Sequence, residues 1–269
     1  MTLVIGMALI ATGCVDGGSG DIVTLGSEPA SDSGGSVTWI DDGDTIEVEL
    51  AGEVSEVRLV AVNAPDQGEC FADTSLDYLM ETLRDRPVRL QVMGEDQFGR
   101  TLAHVFEGDR HVNAELVEMG LVFASTPEED DPYSGVILDA EQRAYESGIG
   151  LWADDACGSE QQLPNAVIDP DRSDIDPEGP DDSRLDDESI AILNSGRETI
   201  DLTGWILRDE STRHRFTFPT VTTIGPGERV IVASSDTGWD PGDNPVWNND
   251  GDMALLQLPD GTVVSRWRY

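Results

Sequence analysis

The chain has 269 residues, enough for two ordinary domains. It carries 54 acidic residues against 16 basic ones, a net charge of -38, and every basic residue is an arginine. Such a surface repels itself and repels a polyanion in dilute buffer, which excludes a protein that grips nucleic acid through a broad basic face. At molar salt the Debye length falls to about 3 Å and both penalties fade, so the acidity points to a very saline medium. Hydrophobic residues make up 38% of the chain, too many for general disorder.

Residues 1 to 14 read as an export signal. Leu3 to Ile10 is apolar but too short to span a bilayer, and Ala11-Thr12-Gly13-Cys14 follows with small residues leading into a cysteine. That pattern resembles a lipoprotein signal, so Cys14 is the expected lipidation site and the protein is expected outside the cell, anchored to its membrane. Met1-Thr2 supplies no basic residue ahead of the apolar run. Cys70 and Cys157 then remain as a pair; in an oxidising compartment they read as one disulfide, the alternative being two unrelated buried thiols.

Residues 15 to 35 are rich in Gly, Ser and Asp and read as a flexible tether. A first domain is expected over 36 to 158. Val37 to Ile40, Thr45 to Leu50 and Val54 to Val62 have strand composition, with Ile46, Val48 and Leu50 alternating with polar neighbours. Asp73-Thr74-Ser75 is expected to cap a helix whose Leu76, Leu79, Met80 and Leu83 share a face, and Pro87 stops it near Arg86. Val88 to Val92 and Thr101 to Phe106 follow as strands, Val112 to Met119 as a helix ended by Gly120, and Ser134 to Ser147 as a third helix ended by Gly148. Five strands with a helix after the third predict an α+β OB-type five-stranded barrel with three helices.

Residues 159 to 186 repeat Asp-Pro, Glu-Gly-Pro and Asp-Asp without periodicity and read as an acidic linker. From 187 to 269, short strands separated by turns predict an all-β, immunoglobulin-like sandwich with Trp205 in its core.

Three segments carry candidate chemistry. Asp42-Gly43-Asp44-Thr45 presents two carboxylates where one strand turns into the next, hard oxygen ligands of the kind calcium takes. Alone this is weak, since Asp-Gly is also a hairpin turn and Asp250-Gly251-Asp252 repeats the tripeptide without such company. Val57-Arg58-Leu59-Val60-Ala61-Val62-Asn63-Ala64-Pro65-Asp66 places an arginine in an apolar strand that runs into further oxygen ligands, and Asp96-Gln97-Phe98-Gly99-Arg100-Thr101 supplies a second arginine. His104, His111 and His214 lack the spacing of a metal site or triad, and no serine or cysteine has a base partner in sequence, which disfavours a nucleophilic hydrolase.

In order and spacing these segments resemble the staphylococcal nuclease family over roughly residues 36 to 157, including Val112-Asn113-Ala114-Glu115-Leu116-Val117 and Gly150-Leu151-Trp152. The resemblance implies a calcium-dependent endonuclease cutting DNA and RNA to 3′-phosphate ends. It implies calcium on Asp44, Asn63 and the Ala64 carbonyl, with Asp42 one water away. Arg58 and Arg100 would fork onto phosphate oxygens, Asp66 would orient or deprotonate the attacking water, and Phe98 would stack on a base. Two positions depart from the family, which commonly has Asp where this chain has Asn63 and Glu where it has Asp66. The alternative is a weak or inactive surface protein that binds nucleic acid or adheres. Asn194-Ser195-Gly196, Asp201-Leu202-Thr203-Gly204-Trp205 and Ile224-Gly225-Pro226-Gly227-Glu228 are similar to the lamin-tail domain. It is expected to be a passive targeting or adhesion module of unknown partner, with Arg208, Arg213, Arg215, Arg266 and Arg268 pairing with neighbouring acids, on a monomeric protein.

Overall fold

The computed structural model describes residues 32–125, 130–158, 163–177, 185–211, 214–240, 246–248 and 251–269. Cys14, the signal and residues 15 to 31 of the expected tether lie outside them.

The first domain is built from β1 (Asp32–Ile40), β2 (Thr45–Leu50), β3 (Glu53–Leu59), α1 (Ala72–Leu83), β4 (Pro87–Glu95), β5 (Thr101–Glu107), α2 (Val112–Glu118) and α3 (Ser134–Ser147). Strand order is β3-β2-β1-β4-β5, all antiparallel, and β3 then pairs parallel with β5 to close the barrel. Alternation decides which way each strand faces: Ile46 and Val48 point into the barrel while Glu47 and Glu49 point outward. Leu79 and Leu83 of α1 and Leu116 and Val117 of α2 join that core, so the helices close the barrel with their apolar stripes. Gly120 follows α2 and Gly148 caps α3, both left-handed as expected.

Three elements differ from what the sequence predicts. The tether does not extend to residue 35, because Ser33, Gly34 and Gly35 pair with Leu90, Arg89 and Val88. Backbone pairing needs no apolar side chain, so composition could not show it. Helix α1 starts earlier than expected, at Ala72 after a left-handed Phe71 with no side-chain cap, so Asp73 to Ser75 lie inside its first turn. The acidic linker is also shorter than 159 to 186: β6 (Ala166–Ile168) pairs with β7 (Ser189–Asn194), and Asp174 bridges to Ser189. Ala166 and Ile168 enter the sandwich core, a signal of two alternating residues too short to stand out between Asn165 and Asp169-Pro170.

The second domain stacks two sheets. One has the order β10-β7-β6, where β10 is Arg229–Ala233. The other runs β9-β8-β11-β12, with β8 Ile206–Arg208, β9 Arg215–Thr217, β11 Met253–Gln257 and β12 Val263–Arg268; Trp239–Asp240 adds to its β9 edge. Ile190, Ile192, Leu207, Phe218, Val232 and Leu256 fill the space between them, and Trp205 is buried there as expected.

The two domains are not beads on a linker. Phe123, Ala144, Leu151 and Trp152 of the first pack with Met253, Leu255 and Val263 of the second in one buried cluster. Cys70 and Cys157 are disulfide-bonded. The bond lies against Gly261, where an added Cβ would stand 3.1 Å from Cys70 Cβ at a backbone φ of +92°, so only glycine fits both the turn and the approach. The arginines of β12 also cross the boundary: Arg266 binds Glu141 at 2.8 Å and Arg268 binds it at 3.1 Å, while Arg268 also pairs with Glu210 of its own domain at 2.9 Å.

Asp252 is buried beside this junction, where it accepts hydrogen bonds from the amides of Glu210, Met253 and Asn248. Burial, with Glu210 and Asp209 nearby, pushes its carboxyl up from 3.8 to about 7. A raised acid binds its proton more tightly in the folded state, so its contribution to stability is complete below about 3.8 and is lost as pH rises through about 7. Asp252 should therefore contribute a fall in stability with rising pH to denaturant unfolding between pH 4 and 7. In Asp252→Asn that slope should be shallower by up to about one proton, whatever the variant's absolute stability. An unchanged slope would contradict the assignment.

Candidate active site

The site forms where the β1–β2 turn, the end of β3 and the entry to α1 meet. Asp44 follows β1 and lies beside Thr45, which pairs with Arg58 across the β2–β3 hairpin; the Asp44 carbonyl accepts the Leu59 amide at 2.9 Å. β3 also pairs with β5, setting Arg58 against Leu102 and so bringing Arg100, just before β5, to the same rim. After β3, Val62–Asn63 pairs with Phe123–Ala124, which turns Asn63, Ala64, Pro65 and Asp66 over the barrel end. An open cleft of about 660 Å³ results, lined by Asp42, Asp44, Arg58, Asn63, Ala64, Asp66 and Arg100 among others. The structure thus gathers the expected catalytic and metal residues into one place.

Gly43 matters for space rather than for turn geometry. An added Cβ would fall 2.1 Å from Ser75 Oγ and 2.8 Å from Ala64 Cβ, so glycine lets the acidic turn seat against α1 and the Asn63-Ala64 segment. Gly43 does lie in the tight β1–β2 turn, as expected, but its φ is not positive, so close approach and not a left-handed backbone calls for glycine.

Asp44 is buried, with Oδ1 accepting from Thr45 Oγ1 at 3.0 Å and Oδ2 from the Ala64 amide at 2.6 Å. Burial raises its carboxyl to about 6 against the pull of Arg58. Asp42 is exposed and accepts the Asp44 amide at 2.9 Å. Arg58 Nη2 stands 2.9 Å from Asp44 Oδ2 and 3.0 Å from Asn63 Oδ1, while Nη1 donates to the carbonyls of Leu59 and Val62. Its terminal N–H groups are thus all engaged within the protein, and contact with a phosphate requires exchange of one of them. Arg100 differs: Asp96 takes its Nε at 2.7 Å, and among the described residues Nη1 and Nη2 make no hydrogen bond, leaving the end of the fork open.

Asp66 is half exposed, and its amide donates to Glu69 Oε2 at 2.9 Å. Phe98 is 75% exposed, with the Arg100 guanidinium 5.7 Å from its ring centroid. His104 is buried and bonds Asp131 at 3.0 Å and His111 at 3.1 Å, packed within the barrel domain, while His214 bonds Asp209 of the second domain at 2.7 Å.

Among the described residues no group of three or more His, Cys, Asp or Glu is arranged to hold a metal ion. A mixed set fits the chemistry of a hard cation better. One guanidinium nitrogen already lies near both Asp44 Oδ2 and Asn63 Oδ1, so these oxygens converge on one positive centre, with the Asp42 carboxylate close by.

Comparison with known proteins bears on this arrangement. The family model described as "Staphylococcal nuclease homologue" matches residues 56–154. A thermonuclease of Staphylococcus intermedius is 30% identical over 119 residues, 41% of this chain and 71% of that protein. A micrococcal nuclease of Shigella flexneri is 30% identical over 148 residues, 49% of this chain and 82% of that protein. The chain belongs to the staphylococcal nuclease family. An uncharacterized endonuclease of Haemophilus influenzae is 36% identical over 119 residues; the match covers 44% of this chain and 65%, just under two thirds, of that protein. The Lamin Tail Domain model matches residues 171–269, which begins inside the stretch that composition marked as linker.

Sequence reasoning missed Glu69, Arg208, Glu210 and Arg215, all at the edge of this nuclease site. Glu69 alone had a local signal, since a carboxylate three residues after Asp66 is well spaced to accept a loop amide. The other three approach from the second domain, where nothing in the local pattern points to residue 63 or 69.

Filling the space at Gly43 should disturb both fold and site. Gly43→Ala is expected to cost about 1–3 kcal/mol by overpacking against Ser75 and Ala64 and to lower nuclease activity. Thermal unfolding and a hydrolysis assay read the two effects, and wild-type values in both would refute the packing argument.

Proposed function

We propose that the protein is a calcium-dependent endonuclease that cuts DNA and RNA with little sequence preference and leaves 3′-phosphate ends. The observation that carries this reading is the meeting of Arg58, Arg100, Asp44 and Asp66 around one cleft. A module that only binds has no need for this combination. Family membership, with relatives named as nucleases, supports phosphodiester cleavage at the coarser level.

Phosphodiester hydrolysis needs a placed water, relief of charge growing on the phosphoryl oxygens, and a leaving oxygen that departs easily. Arg100 would take phosphoryl oxygens with its open fork, which a lysine would do less specifically. Arg58 would add a second positive group after exchanging one internal bond. Asp66, reachable from solvent, would orient the water or accept its proton. Phe98 offers an exposed face on which a base can stack.

The cleft lining also supports a metal requirement. It holds five aspartates, Asp41, Asp42, Asp44, Asp66 and Asp73, against Arg58 and Arg100, so an approaching phosphodiester meets net negative charge. Asp44 and Asn63 would hold calcium, with the Ala64 carbonyl and a water from Asp42 completing the protein's share. Bound there, calcium supplies Lewis-acid stabilisation of phosphoryl charge.

Export and membrane attachment through lipidated Cys14, monomeric assembly, and work at high salt complete the proposal. They rest on the signal-like N-terminus and on the charge of -38.

Hydrolysis of single-stranded DNA in molar salt with calcium tests the reading. Chelator or Arg100→Ala should each lower turnover by about 100-fold or more, the scale expected when a charge-stabilising donor is removed. Activity indifferent to both would overturn the mechanism.

A further inference from the structure

Two of the residues that set the cleft are held from the other domain. Asn63 Nδ2 donates to the Glu210 carbonyl at 3.0 Å across 147 residues of sequence, which leaves Oδ1 to face Arg58. Asp66 is fixed indirectly: its amide binds Glu69 Oε2, and Glu69 Oε1 is ion-paired with Arg215 of β9. Arg215 Nη2 lies 3.8 Å from Asp66 Oδ2, and the fully buried Arg208 of β8 places Nη1 3.6 Å from Glu69 Oε2.

The contact at residue 63 also accounts for a departure from the family. An aspartate there would set a carboxylate oxygen against the Glu210 carbonyl, two acceptors with no proton between them. Asparagine has the same shape, offers an oxygen to the cleft and donates to the second domain. The identity of residue 63 therefore answers to the domain boundary as well as to the cleft.

We propose that the lamin-tail domain is a working part of the nuclease site: the Glu210 carbonyl and the Arg215 side chain are positioning groups that fix the Asn63 amide and the Asp66–Glu69 turn. The passive role expected from sequence is replaced by one in which domain docking orders the catalytic segment. The claim about order stands on these contacts alone, and its effect on turnover rests on the nuclease reading above.

Hydrogen exchange on the full-length, metal-free protein tests it, comparing wild type with Arg215→Ala, Arg215→Lys and Asn63→Asp. In R215A, peptides spanning 63–70 should exchange about tenfold faster or more, with peptides from β2 and β7 unchanged. N63D should speed exchange in both 63–70 and 209–211, and R215K, which keeps the charge but not the fork, should recover only part of the lost protection. Steady-state kinetics on single-stranded DNA should show R215A lowering kcat by about tenfold with KM within about twofold, since it disturbs placement rather than substrate binding. Unchanged exchange at 63–70 in R215A and N63D would overturn the proposal, as would a uniform rise across both domains, the mark of general destabilisation. Should R215A fail to fold, N63D and R215K decide by the same exchange criteria. If wild type cuts no nucleic acid, the nuclease reading fails while the exchange result still decides this one.

Discussion

The Glu69 carboxylate, shared between Arg208 and Arg215 at the domain junction, is the interaction on which the rest of the molecule turns. Burial alone would raise its carboxyl, but the Arg215 hydrogen bond and the charges of both arginines hold it below its ordinary value. Arg208 is nearly sealed from water, and burial, aided by repulsion from Arg215, pulls its guanidinium down to about 10. Groups kept charged in such a place cost several kcal/mol each in desolvation, and removing one partner typically costs about 3–5 kcal/mol. Within the junction Glu69, Arg208 and Arg215 compensate one another, and the turn bearing Asp66 is ordered with them.

The scarcity of cations makes their placement informative. In a chain with 54 acids and 16 arginines, most carboxylates must be left to solvent and salt. Yet arginines stand where carboxylates are withdrawn from water: Arg58 at Asp44, Arg215 at Glu69, and Arg266 and Arg268 at Glu141. Each of these arginines also reaches a backbone carbonyl, a ring or a second acid, as Arg268 does with the Ala124 carbonyl and Arg266 with the Tyr145 ring. A planar fork suits such shared contacts, and an ammonium does not.

Much of the barrel was legible because its signals are local. Ile46 and Val48 alternate, Leu79 and Leu83 fall on one helical face, and Gly120 and Gly148 end helices where a left-handed residue is needed. The cleft was legible through residue type, since Asp44, Arg58 and Arg100 lie on segments whose pairing brings them together. What sequence hid depends on pairing at a distance. Gly34 and Gly35 enter a strand through backbone bonds alone, and Ala166 and Ile168 gain meaning only beside β7. The arginines of β8, β9 and β12 were expected to pair with neighbouring acids; those described do meet acids, but Glu69 and Glu141 belong to the other domain.

If the two domains form one unit whose junction orders the site, they must unfold together. Calorimetry of the full-length protein in high salt tests this most directly. The account predicts a single cooperative transition, with amides of the barrel and of the sandwich losing protection at the same temperature. Two separated transitions, with the nuclease domain keeping its protection at 63–70 after the sandwich has melted, would contradict it.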